Sequence, residues 1–329
     1  MESPAVAVPD FSVVITCLNE ERSIDEFARR LLGTIRALPQ SFDVVFVDDG
    51  SEDGTYERIL GIFQREPLVS AALRLFRNSG QAAAITAGLS VARGRNFVLL
   101  DSDLQLEPEE LPLLLAKFAE GHDVVSGYRV NRRDSLRRRF YSKIANGIMR
   151  RASGAALRDF GCTFKVFDGR LVRAFELGPH HVFHLVELLS QAGRWADVPV
   201  THHERRFGRS GWTLRRLLDL NTDNLIALTK RPFQYVAVLA GLGGLLLAAR
   251  VLLDILHPVR ILPQVSAGLL LNAILVSMLV GASIQALIGE LVIRSFASLR
   301  GTPAYVVKEA VFRHRASGEG HAQGMVTQP

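Results

Sequence analysis

The residues best suited to chemistry are acidic and fall in two short loops. One reads Val47-Asp48-Asp49-Gly50-Ser51-Glu52-Asp53-Gly54-Thr55, the other Asp101-Ser102-Asp103-Leu104-Gln105, and each follows an apolar run. By itself the first loop is an ordinary turn with a helix N-cap. The second changes that reading, because alternate carboxylates at a strand terminus repel one another unless a cation bridges them. Hard oxygen ligands of this kind suit Mg2+ or Mn2+, and an ion held by one or two carboxylates completes its shell with substrate phosphates. The chemistry expected is departure of a metal-bound diphosphate. A single D-x-D carries little weight, whereas one at a strand end beside Asp49 on a neighbouring strand end carries more. His202 and His203 precede a basic loop and read as surface residues or neighbours of a site, not as ligands.

Strands and helices must place these loops. Phe11–Cys17 is an apolar β-rich run, after which Ile24, Phe27, Leu31, Leu32 and Ile35 recur with helical spacing. The unit repeats with Val44–Val47, Val69–Leu75 and Phe97–Leu100, each followed by a helix. Such alternation predicts an α/β sandwich around a mainly parallel sheet, whose ligands bind beyond the carboxyl ends of the strands. A further edge strand is expected at Ala196–Val200.

Of the 329 residues 48% are hydrophobic and the mean hydropathy is +0.17, with the apolar excess near the C-terminus. Residues 233–256 and 265–288 are each long enough to cross ~30 Å of hydrocarbon, which predicts a two-helix transmembrane hairpin. Lys230 and Arg231 precede the first span, Arg294, Arg300, Lys308 and Arg313 follow the second, and the turn offers Arg260, so both termini are expected in the cytoplasm. Glu2, Pro4, Pro9 and Asp10 interrupt the N-terminus, so no signal peptide is expected. Two cysteines, Cys17 and Cys162, fit buried thiols in a reducing compartment. The net charge is +6, but its basic residues gather beside the spans and in 132–151, a layout for anionic lipid headgroups, which argues against nucleic acid. Arg138, Ser142 and Asn146 share one helix face at i, i+4 and i+8, while Phe140, Ile144 and Ile148 make the same helix amphipathic. Thr213–Leu228 reads as a second interfacial helix.

The run Val13-Val14-Ile15-Thr16-Cys17-Leu18-Asn19-Glu20-Glu21, the Val-Asp-Asp-Gly-Ser loop, Arg77-Asn78-x-Gly80, Asp-Ser-Asp-Leu-Gln and Arg205-x-x-Gly208-x-Ser210 resemble the family 2 glycosyltransferases, and within them the polyprenyl-phosphate glycosyltransferases. The resemblance covers nearly the whole chain. It implies a GT-A-type (Rossmann-like) nucleotide-sugar-binding domain at 1–210, including an amphipathic interface helix at about 134–152. An interfacial helix and linker at 211–232, two transmembrane helices within 233–290 and a cytoplasmic segment with a partly disordered tail at 291–329 follow.

The resemblance also implies site residues. Thr16, Leu18, Glu20, Val47 and Asp49 match positions that hold the nucleoside. Asp101, Asp103 and Gln105 match the metal and diphosphate site, and Arg205 and Ser210 a loop that closes over the donor. Arg129, Arg138 and Ser142 match residues that grip the lipid phosphate. Asp159 matches an acidic position near the reacting centre. A phosphomonoester carries about −1.5 to −2 charge at pH 7 and needs no proton removed, which leaves Asp159 to orient the sugar or an arginine. The implied activity is inverting transfer of one sugar from a nucleotide-sugar, UDP-linked, to undecaprenyl phosphate, in a homo-oligomer, a tetramer, at a bacterial inner membrane. Two other readings compete. Gln191-x-x-Arg194-Trp195 fits the Q-x-x-R-W signature of processive polysaccharide synthases, and a catalytically silent membrane scaffold could retain the fold.

Overall fold

The computed structural model describes residues 8–130, 146–203 apart from 148 and 152, 302–313, and scattered positions between 274 and 292. The chain divides into two units, one of Met1–Leu228 with Pro303–Pro329 and one of Thr229–Thr302. The first unit is built on β1 (Phe11–Cys17), β2 (Phe42–Asp48), β3 (Val69–Leu75), β4 (Asn96–Asp101), β5 (Val124–Val130), β6 (Lys165–Asp168), β7 (Trp195–Thr201) and β8 (Val307–Phe312). They form one sheet in the order β7-β5-β6-β4-β1-β2-β3-β8. Its helices are α1 (Ile24–Arg36), α2 (Thr55–Arg65), α3 (Gln81–Val91), α4 (Leu111–Ala119), α5 (Gly169–Arg173) and α6 (Leu185–Gln191).

The apolar spacing decides which face each helix covers. In α1 the buried residues are Ile24, Phe27, Ala28, Leu31, Leu32 and Ile35, one stripe that packs with residues of α2 and α4 on one side of the sheet. On the other side α3 is buried nearly all round by small residues, and a Cβ at Gly88 would lie 2.3 Å from Val14 Cγ1. This close seat on β1 brings the start of α3 to the carboxyl end of the sheet.

Strand direction then gathers the loops. β1 is parallel to β2 and β4, β2 to β3, and β5 to β7, whereas β6 is antiparallel to both β4 and β5. The carboxyl ends of β1, β2, β4, β5 and β7 therefore share one edge with the first residue of β6.

β6 and β8 go beyond the sequence expectation. β8 lies in the segment 291–329, for which the sequence predicts no strand, yet it pairs antiparallel with β3. Arg313 secures it by donating from Nε to the Val69 carbonyl at 3.2 Å and from Nη2 to the carbonyls of Phe63 and Glu66. Among the described residues no helix is long and apolar enough to cross a membrane. The expected span 233–256 lies outside them, as does most of 265–288 and of both interfacial helices.

Candidate active site

Asp101 ends β4 directly beside Thr16 of β1 in the sheet register. Its Oδ1 accepts from Thr16 Oγ1 at 3.1 Å and from Gln81 Nε2 at 2.8 Å, and its Oδ2 accepts from the Thr163 hydroxyl. The chain then turns through Leu104 at φ 57°, a left-handed conformation rare for a branched side chain, and Asp103 Oδ1 accepts from the Gln105 N–H at 3.1 Å. The His203 N–H donates to the Gln105 carbonyl at 2.8 Å, and Gln105 Nε2 donates to the His203 carbonyl at 3.3 Å. His203 Nε2 lies 2.6 Å from Glu107 Oε1, so this histidine braces the loop.

The first acidic loop is stitched to its neighbours. Asp49 is buried, and its two oxygens accept from the N–H groups of Ser79 at 2.7 Å and Gly80 at 3.0 Å just ahead of α3. Gly50, at φ 71°, packs so closely on the next loop that a Cβ there would stand 2.3 Å from the Arg77 carbonyl carbon. The buried carboxylate of Glu20 accepts from the Ser23 hydroxyl, and the Glu20 N–H donates to Thr55 Oγ1 at 2.8 Å. Val47 is fully buried beneath this loop, and Leu18 is half-buried at the end of β1.

On the β5 side, Arg129 meets Asp159 in a two-pronged ion pair, Nε to Oδ2 at 2.7 Å and Nη2 to Oδ1 at 2.9 Å. Such fork geometry fixes the plane of the guanidinium. The Gly161 N–H adds a 3.2 Å bond to Asp159 Oδ1, and Asn146 Nδ2 donates to the carbonyl of neighbouring Arg158 at 3.1 Å. The short segment Asp159–Thr163 thus grips Arg129 at one end and Asp101 at the other. Both cysteines are buried free thiols, and burial pushes the pKa of each upward, which leaves them inert at neutral pH.

The structure brings Thr16, Leu18, Glu20, Val47, Asp49, Asp101, Asp103, Gln105, Arg129 and Asp159 to the carboxyl edge of the sheet. Arg138, Ser142, Arg205 and Ser210 lie outside the described residues. Gln81 and Thr163, which orient Asp101, are additions that the sequence reading missed. Thr163 lies four residues after Asp159, and its type alone marks no partner for Asp101. The Q-x-x-R-W residues fall elsewhere: Gln191 ends α6 and Trp195 starts β7, the edge strand, at the opposite end of the strands from Asp101. Asp123 Oδ2 accepts from the N–H groups of Gly193 and Arg194, each at 2.8 Å, so this segment is a capped turn.

The sequence profile described as Glycosyl transferase family 2 matches residues 12–177. The chain is 34% identical over 321 residues to the undecaprenyl-phosphate 4-deoxy-4-formamido-L-arabinose transferase of Salmonella paratyphi A, covering 95% of this chain and 97% of the relative. The transferase of the same description from Salmonella dublin is 34% identical over 316 residues, covering 94% and 95%. Among solved structures, glucosyl-3-phosphoglycerate synthase from Mycobacterium tuberculosis, in complex with Mn2+, uridine diphosphate and phosphoglyceric acid, is similar with a TM-score of 0.50 at 18% identity. That similarity covers 70% of this chain and 84% of the synthase. With its α/β fold, its Asp101-x-Asp103 strand tip and the profile and relatives in agreement, the chain belongs to glycosyl transferase family 2 and is a glycosyltransferase.

Proposed function

We propose that the protein transfers a single sugar from a nucleotide-sugar, UDP-linked, to undecaprenyl phosphate at the cytoplasmic face of a bacterial inner membrane. The product would be a polyprenyl-phosphate-sugar for modification of lipid A, O-antigen or another cell-envelope glycan. The observation that carries this reading is the 34% identity to transferases of that description along 95% of the chain. The two clusters at one sheet edge support it, since one suits a diphosphate and the other a phosphate.

Thr16, Leu18, Glu20, Val47 and Asp49 hold the nucleoside, and Asp101, Asp103 and Gln105 the diphosphate with a divalent ion. The donor set fits such an ion: carboxylate and amide oxygens lie on one strand tip, and the bonds recorded for Asp101 come from neutral hydroxyls and an amide. Among the described residues no group of three or more His, Cys, Asp or Glu is gathered to hold a metal. Substrate phosphates therefore have to complete the shell. When bound, Mg2+ or Mn2+ neutralises charge gathering on the departing diphosphate.

The acceptor oxygen is already anionic, so no residue is required as a base. Arg129, oriented by Asp159, presents the phosphate for attack opposite the leaving group, which inverts the anomeric carbon. Arg138 and Ser142 complete the phosphate grip, and Arg205 and Ser210 close over the donor to exclude water. Spans at 233–256 and 265–288 keep the domain at the bilayer, in a tetramer.

Incubating the full chain with undecaprenyl phosphate and a panel of nucleotide-sugars tests the reading. One donor should yield a lipid carrying one sugar. A lipid carrying a sugar chain, or no lipid product with any donor, overturns it.

A further inference from the structure

Lys165 is a buried cation that the proposed reaction leaves unused. It opens β6 and is only 2% exposed, and its Nζ donates to the Phe160 carbonyl at 3.3 Å. Because β6 runs against β4 and β5, its first residue sits at the edge where those strands deliver Asp101 and Arg129. The charged and titratable groups that act on it are Asp159, Arg129, Asp101, the Cys162 thiol and, across β5, Asp197. Burial pushes the pKa of this ammonium down, while Asp159 and Asp101 hold it up.

Charge counting shows why such a cation matters. Arg129 and Asp159 form a two-pronged pair whose charges cancel. An incoming phosphate of about −1.5 to −2 charge gains little from a neutral pair, and it competes with Asp159 for the guanidinium. Lys165 offsets the negative charge that Asp101 and Asp197 add around the pair, and its field reaches the phosphate because buried charges are weakly screened.

We propose that Lys165 supplies the positive charge that draws the acceptor phosphate to Arg129, and that it compensates Asp159 once the guanidinium turns to the phosphate. Lys165 does not touch the substrate, so it is a positioning residue. The inference rests on the reading that the acceptor is a lipid phosphate.

Three variants of the full chain in detergent separate charge from support. Lys165→Gln retains a donor for the Phe160 carbonyl without the charge, Lys165→Met removes both, and Lys165→Arg keeps the charge. With undecaprenyl phosphate varied at saturating donor, the acceptor KM should rise about tenfold or more in the Gln and Met variants and return to within about threefold of wild type in the Arg variant. The donor KM should move by about twofold or less. An unchanged acceptor KM in Lys165→Gln overturns the proposal, as does an equal rise for both substrates. Thermal melts identify folded variants, and failure of both Gln and Met to fold beside a folded Arg variant would assign Lys165 to structure and also overturn it. Wild-type enzyme that ignores undecaprenyl phosphate yet glycosylates another acceptor removes the proposed function itself, whereas normal wild-type transfer with a normal Lys165→Gln variant removes only this inference.

Discussion

Replacing Asp101 by Asn should separate fold from chemistry at a single group. The carboxylate has three recorded partners, and the Asn amide can satisfy them all: its oxygen stays with Thr16 and Gln81, while its nitrogen donates to the Thr163 hydroxyl, which turns from donor to acceptor. Three bonds lose their charge assistance, a loss partly offset because a neutral amide is cheaper to desolvate at this half-buried position. The net cost is about 1 kcal/mol, or roughly 2–4 °C in Tm for a domain of this size. The chemical loss is larger. A unit charge at ~4 Å and an effective dielectric constant of 20 is worth ~4 kcal/mol, about three decades in rate. The assay is kcat at saturating donor and acceptor, with a thermal melt of the same preparation. A kcat within about tenfold of wild type would refute the electrostatic role, and a Tm loss beyond roughly 10 °C would refute the hydrogen-bond reasoning.

Asp159→Asn keeps an oxygen for Arg129, so kcat should fall by about tenfold or less; a loss of ~10²–10⁴ would make Asp159 a general base after all. Gly50→Ala should cost about 3 kcal/mol in urea unfolding, since it adds left-handed strain to a 2.3 Å clash with the Arg77 backbone; an unchanged midpoint would refute this. Lys165→Met should stabilise the fold at neutral pH. Burial lowers the Lys165 pKa below the ordinary 10.5, so the protonated form is penalised in the folded state. The penalty is full below the folded pKa and vanishes above the unfolded one. The gap between variant and wild type in chemical denaturation should therefore close as pH rises towards 10.5, and a gap that widens would contradict it.

The sequence disclosed the strands that carry the donor site because their signal is local. Phe11–Cys17 is rich in β-branched residues and Val69–Leu75 is mostly apolar, and they fold with those bounds. Lys165–Asp168 offers four residues with a charge at each end, too short for any period, and its pairing is decided by β4 and β5 on either side. The same distinction governs the site. Asp101 and Asp103 can be read from spacing at a strand end. Gln81 and Thr163 lie 20 and 62 residues from Asp101, and their types suggest nothing until folding brings them together. Arg129 and Asp159 were both legible as candidates, but their mutual grip spans 30 residues and belongs to tertiary structure.

The origin of β8 has a consequence for biosynthesis. The strand that covers β3 is encoded after the whole Thr229–Thr302 unit, so the sheet cannot be completed while that unit is still being made. About 230 residues separate Leu75 from Val307, so at about 5–20 residues per second a nascent chain waits roughly 12–46 s with β3 as an open hydrogen-bonding edge. Such edges recruit other strands, and the hazard ends only when the last tenth of the polypeptide emerges from the ribosome.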